Sequence, residues 1–196
     1  MAIYIDDGII PAKDDNKIQA VINFLRKEFA VKVFEAKFFL GFEIFYKTDG
    51  TIFINQQCFA DKTVSKFGMM NANTVSTPAD TFAFEMVKDN KTSSSSNFPY
   101  HATVGSLMYL AVGTRPDISY ALGVVSRYME NPMEVHIKAL KCIIRYVKGT
   151  RNYGIAFNSN SLYTFESYSD ADYAGDRNTR RSTSGYICFL GDGPIS

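Results

Sequence analysis

The chain of 196 residues is 46% hydrophobic, carries a formal net charge of +1 and has three cysteines and two histidines. It is long enough to bury one large or two small cores, and its near-neutral balance excludes global basicity, so any nucleic-acid contact must come from a local patch. Cys58, Cys142 and Cys188 are far apart and odd in number, which fits neither a disulfide framework nor a zinc site and points to a reducing, intracellular and cytoplasmic setting. His101 and His136 lack zinc-ligand spacing. No secretory leader is recognisable, and the longest apolar stretch, Val104 to Val112, is too short to cross a membrane.

Taken in chain order, Met1 to Ile5 reads as a strand, Gly8 as the turn, and Ile9-Ile10 as the start of a returning strand, with Asp6 and Asp7 at the tip of the hairpin. Adjacent carboxylates repel, and a divalent cation with oxygen ligands compensates them; Mg2+ suits one or two carboxylates plus substrate phosphates. Asp-Asp-Gly also suits an ordinary turn. Asp14 or Asp15 caps a helix whose apolar positions are Ile18, Val21, Ile22, Leu25 and Phe29, one stripe at helical spacing. Lys37 to Lys47 and Thr51 to Ile54 read as two strands around a two-residue turn at Asp49-Gly50. Gln57 to Phe67 reads as a short helix stopped by Gly68.

From Asn71 to Asn97 the composition turns to Asn, Thr, Ser and Pro, with Ser93 to Ser96 at its extreme, as in a linker or surface excursion. Three helices follow. Tyr100 to Val112 carries Val104, Leu107, Met108 and Ala111 on one face; Thr114-Arg115-Pro116-Asp117 stops the chain and restarts it with Thr114 as cap. Ile118, Ala121, Leu122, Val125 and Met129 continue the second stripe. Asn131 caps the third helix, with Glu134 bonding back, and Gly149 ends it. On that helix Lys138, Lys141, Arg145 and Lys148 share one face opposite Val135, Ala139, Ile143 and Val147, a stripe that can follow a phosphate backbone or serve as a solvated face. Two more strands are predicted, Leu162 to Tyr168, which ends in Ser169-Asp170-Ala171-Asp172, and Ser184 to Leu190; Asp170 and Asp172 project to one side and can hold a cation or simply line an exposed edge. No Ser/His/Asp triad or phosphate-binding Gly loop is recognisable. The fold class is α+β.

Several segments together resemble the Pol polyprotein of copia-type LTR retrotransposons, from the reverse-transcriptase palm into ribonuclease H. They are YIDD at 4–7, AKFFLGFEI at 36–44, STP at 76–78, VGSLMYLAVGTRPDISYA at 104–121, RYVKGT at 145–150, YSDADYAGD at 168–176 and RRSTSGY at 180–186. The resemblance implies a palm portion over 1–70, a linker over 71–99, a helical thumb and connection region over 100–150 and the beginning of ribonuclease H over 151–196. It implies that Asp6 and Asp7 are catalytic metal ligands of a polymerase using Mg2+, with Mn2+ as substitute, and that Asp170 is a catalytic metal ligand of ribonuclease H. The implied partners are an RNA or DNA primer-template, deoxynucleotides and the remaining Pol segments, and Lys138, Lys141, Arg145 and Lys148 become primer-template contacts.

The departures carry equal weight. The family's third polymerase aspartate lies upstream of YIDD, and its ribonuclease H glutamate lies beyond the last residue here, so each site holds part of its ligand set. Gly8 stands where the family usually has a bulky aliphatic residue. Three expectations result: a reverse-transcriptase segment inactive without the missing parts, a non-catalytic nucleic-acid-binding module, or a decayed remnant acting as an interaction protein.

Overall fold

The computed structural model describes residues 1–5, 7–12, 14–79, 97–160, 162, 164–176 and 179–196. Among them, five α-helices and three antiparallel sheets form a mixed architecture in which the core is helical. Strands β1 (Ala2–Tyr4) and β2 (Asp7–Ile9) pair in the register Ala2↔Ile9, Ile3↔Gly8, Tyr4↔Asp7. The reversal therefore falls between Tyr4 and Asp7 and not at Gly8, which lies inside the returning strand. A tight two-residue turn needs positive φ at its corner, and Ile5 supplies it at 52°. Helix α1 (Asp15–Glu28) starts at Asp14, whose carboxylate accepts the Asn16 N–H at 2.9 Å, as expected of a cap. Of its apolar stripe only Ile22 is buried, and Phe29 is exposed.

The second sheet is ordered β3 (Phe38–Phe39), β4 (Phe42–Tyr46), β5 (Ile52–Asn55), β6 (Gly154–Phe157). The run predicted as one strand from Lys37 is broken by a turn at Leu40 and Gly41, with φ of 50° and 81°; two consecutive positive φ values make the mirror-image turn that matches strand twist. Between β4 and β5 the loop is one residue longer than predicted. Gly50 donates to the Lys47 carbonyl at 3.0 Å, Lys47 donates to Thr51 at 2.9 Å, and Gly50 has φ of 82°, the residue that lets the third loop position bulge. Strand β6 lies downstream of every helix, yet it pairs with β5 from Ile52↔Phe157 to Asn55↔Gly154, so the sheet is continuous across position 150.

Helix α2 (Gln57–Lys66) ends as predicted at Gly68, where Met69 donates to the Val64 carbonyl and Gly68 to Ser65 around a φ of 69°. It packs with α3 (Tyr100–Gly113), α4 (Ser119–Ser126) and α5 (Glu134–Gly149) around Val64, Leu107, Leu110, Ile118, Leu122, Ile137, Leu140 and Ile144, all nearly inaccessible to water. Each such side chain contributes about 1.5–3 kcal/mol of burial, so this cluster dominates the stability of the fold. Met108 and Val135 lie on the expected apolar faces but are 41% and 40% exposed; α3 is apolar nearly all round, and on α5 the expected Ile143 and Val147 are buried while the inward face also takes in Ile137, Leu140 and Ile144.

Two helix starts also differ from expectation. Thr114 ends α3, and its buried hydroxyl donates to Gln56 Oε1 at 3.0 Å instead of capping the next turn, a short 3-10 segment over Pro116–Ile118. At α5 the cap is Met133 and not Asn131, and the side chain reaching back is that of His136, whose Nδ1 accepts the Met133 N–H at 2.9 Å. Of the predicted linker, 71–79 lies against the helical core with Val75 and Ala79 partly buried; Ser93 to Ser96 lies outside the described residues. The third sheet is ordered β7 (Phe165–Ala171), β8 (Ser184–Leu190), β9 (Gly193–Pro194).

Candidate functional site

Asp7 opens β2 opposite Tyr4, immediately after the turn, and its side chain is exposed. Asp6 lies outside the described residues. A carboxylate held by a two-residue hairpin projects into solvent at a fixed backbone position, the setting in which a hard cation can bind while keeping several waters. Among the described residues no three His, Cys, Asp or Glu side chains converge. The donor chemistry of Asp7 fits a hard cation such as Mg2+ as a single carboxylate ligand, with the remaining positions left to other oxygen donors.

The second predicted carboxylate, Asp170, sits near the end of β7 opposite Gly185, exposed, with Oδ1 accepting the Ala171 N–H at 2.8 Å. Asp172 does different work. Its Oδ1 accepts from Thr183 N at 2.8 Å and Gly175 N at 3.2 Å, closing the base of the β7–β8 connection. That connection is pinned to the end of α4 by Arg127, which reaches Asp176 at 3.2 Å and Thr183 at 3.0 Å.

The four cations of α5 share one side of the helix but have different surroundings. Lys138 is exposed; Lys141 Nζ lies 5.1 Å from the centre of the Phe98 ring. Arg145 Nε donates to the Asn73 carbonyl at 2.5 Å, and Lys148 Nζ donates to the Ala72 carbonyl at 2.8 Å.

A family profile described as reverse transcriptase (RNA-dependent DNA polymerase) matches residues 1–81. The whole chain is 37% identical to part of the retrovirus-related Pol polyprotein from transposon RE1 of Arabidopsis thaliana, and 36% identical to part of that from transposon TNT 1-94 of Nicotiana tabacum, covering 13% and 15% of those proteins. It is also 33% identical to an uncharacterised mitochondrial protein of Arabidopsis thaliana, of which it covers 80%. The chain belongs to the Pol polyprotein family of copia-type retrotransposons. It carries reverse-transcriptase sequence of that family, and it spans about a seventh of the length of the Pol polyproteins named. No solved structure matches it.

Within this Pol-family chain three polar residues that hold the landmark segments together were not legible from sequence. Arg115, 2% exposed, donates from Nε and Nη2 to the two Asp117 oxygens at 2.9 and 2.8 Å, from Nη1 to the Thr150 carbonyl at 2.9 Å and from Nη2 to the Thr150 hydroxyl at 2.6 Å, with the Tyr146 and Tyr153 rings 5.5 and 5.4 Å away. Burial pushes the Asp117 carboxyl up, but the Arg115 guanidinium and the Tyr146 hydroxyl outweigh it and hold the group below its ordinary value. Glu43, 8% exposed, reaches from β4 to accept the Cys58 N–H at 2.6 Å, capping α2 from another element. Tyr109 on α3 donates its hydroxyl to the Leu40 carbonyl at 2.6 Å, securing the β3–β4 turn. The only signal for any of them was composition: an Arg beside Pro-Asp, and a Glu inside an apolar run.

Proposed function

We propose that this chain serves the polymerase of a retrotransposon Pol, with Asp6 and Asp7 as metal-binding carboxylates for RNA-directed DNA synthesis inside the cell. The observation that carries the reading is the hairpin, which fixes Asp7 one residue past a tight turn with its carboxylate in solvent. Bound there, Mg2+ supplies Lewis-acid stabilisation of a transferring phosphoryl group, and Mn2+ can substitute. The chain's own part is to present the Asp7 carboxylate, with Asp6 as its neighbour in sequence, to the metal, while the exposed edge of the hairpin leaves room for primer and nucleotide. Asp170, on a second exposed hairpin, serves in the same way as a ribonuclease H carboxylate. The α5 stripe contacts primer-template phosphates.

The exposed Phe24, Phe29, Phe34 and Phe38, from α1 to β3, favour burial against other Pol segments, which are the partners of this reading. Two measurements test it. Mn2+ bound to the chain, followed by electron paramagnetic resonance, is expected to be released in Asp6→Asn and Asp7→Asn. In an intact Pol carrying this sequence in place of its own, primer extension on an RNA template is expected to fall by about a hundredfold or more with Asp7→Asn. Retention of both the metal and the extension in the variants would overturn the reading.

A further inference from the structure

Residues 72–79 leave the end of α2 and run back along the cationic side of α5. Ala72 and Asn73 take the Lys148 and Arg145 donors. The Thr77 carbonyl lies 4.0 Å from Cys142 Sγ, more than one helical turn earlier along α5. A β-carbon on Gly149 would come within 3.1 Å of Thr74 Cβ, so the glycine makes room for this close approach. Val75 and Ala79 are anchored on the core cluster. The segment is thus a strap laid over half of the stripe.

Backbone carbonyls and phosphate oxygens are both acceptors, and one donor cannot be fully committed to both. The strap is neutral, because 72–79 contains no charged side chain, so it takes an N–H of each cation and holds the side chain against α5 without cancelling its field. A phosphate backbone arriving at α5 still meets positive potential, and charge-assisted bonds to phosphate outcompete bonds to neutral carbonyls. We propose that residues 72–79 form a displaceable strap that competes with a nucleic-acid backbone for Arg145 and Lys148. The inference rests on the nucleic-acid reading of α5 given above and adds a gate to it. With the strap seated, Lys138 and Lys141 make the first contacts. With the strap lifted, all four cations engage.

The test loosens the strap without touching the cations. Val75→Ser removes the larger of its two apolar anchors, and Gly149→Ala presses on Thr74 from below. Strap opening is read in the free protein as the alkylation rate of Cys142, resolved from Cys58 and Cys188 by peptide mass. Binding is read as the affinity for a labelled RNA–DNA hybrid across a salt series. Faster Cys142 labelling is expected in either variant. The affinity should rise about threefold or more near 0.1 M salt, and the salt slope should steepen by about 1.8, the equivalent of two further phosphates. Both gains should vanish when Arg145→Ala and Lys148→Ala are added. If labelling accelerates while affinity and slope stay at wild-type values, the strap does not gate the stripe and the proposal fails, although the nucleic-acid reading survives. Labelling unchanged in both variants would mean that the strap does not open, which also overturns it. Absence of hybrid binding in every protein would remove the proposal together with the nucleic-acid reading.

Discussion

Replacing Arg115 with Met keeps the volume of the side chain and deletes its charge and four hydrogen bonds. The guanidinium is 2% exposed while the Asp117 side chain keeps 34% of its surface in water. Removing one partner of a buried pair costs about 3–5 kcal/mol. Since the orphaned carboxylate is partly solvated, the lower end applies, and about 3 kcal/mol is expected. For a chain of this size that is a fall in Tm of roughly 6–12 °C by circular dichroism. Arg115→Lys should recover less than half, because an ammonium cannot serve Asp117 bidentately and Thr150 at once. The acid limb gives an independent sign. In the native protein the Asp117 carboxyl is held below its ordinary value of 3.8, so its contribution is present above that pH and is lost as pH falls through the lowered pKa. Without Arg115 the burial that raises this pKa has less to oppose it, and the deficit of Arg115→Met should shrink below about pH 4. A Tm loss under about 2 °C, or coupling to Asp117→Asn below about 0.5 kcal/mol in a double-mutant cycle, would refute the reasoning.

Burial lowers the pKa of His136, whose Nδ1 accepts a hydrogen bond and whose buried Nε2 finds no hydrogen-bond partner among the described residues. Its contribution to stability should be complete above its ordinary pKa of 6.5 and lost as pH falls from there toward the lowered value; denaturant melts should show this slope, and His136→Leu should flatten it. Glu43→Ala removes the cap of α2 and should cost about 1–2 kcal/mol by urea unfolding, with Glu43→Gln costing less than half of that. Because the Glu43 hydrogen bond raises the Cys58 thiol pKa, the alanine variant should also alkylate faster at Cys58 near pH 8. Gly41→Ala places a β-carbon 2.5 Å from the Tyr109 hydroxyl at a φ of 81°, which should cost about 2 kcal/mol; adding Tyr109→Phe should recover the clash but not the backbone strain.

What could be read from the sequence was what repeats or punctuates. The core of α3, α4 and α5 follows from apolar residues at helical spacing, and Gly68 and the Asp49-Gly50 pair marked real chain reversals because glycine alone tolerates those φ values cheaply. The misplaced features are those in which a side chain overrides local propensity. Leu40 adopts a left-handed φ that its own chemistry disfavours, and the Tyr109 hydroxyl, 69 positions away, is what makes the turn tenable. Thr114 looked like a cap because threonine caps helices, but Gln56 claims its hydroxyl.

The candidate sites divide along the same line. Asp6, Asp7 and Asp170 stood out because carboxylates near strand ends are conspicuous in any window of a few residues, and local hairpins fix where the backbones of Asp7 and Asp170 go. Helical periodicity likewise gave the shared face of Lys138, Lys141, Arg145 and Lys148. It could not give the occupancy of that face, because the Ala72 and Asn73 carbonyls that reach it belong to main chain, which every sequence contains and no pattern marks. Arg145 and Lys148 thus have a legible position and a hidden partner. A cationic stripe read from sequence is an upper bound on the charge a phosphate backbone can engage, and the salt slope of hybrid binding is the quantity that distinguishes two available cations from four.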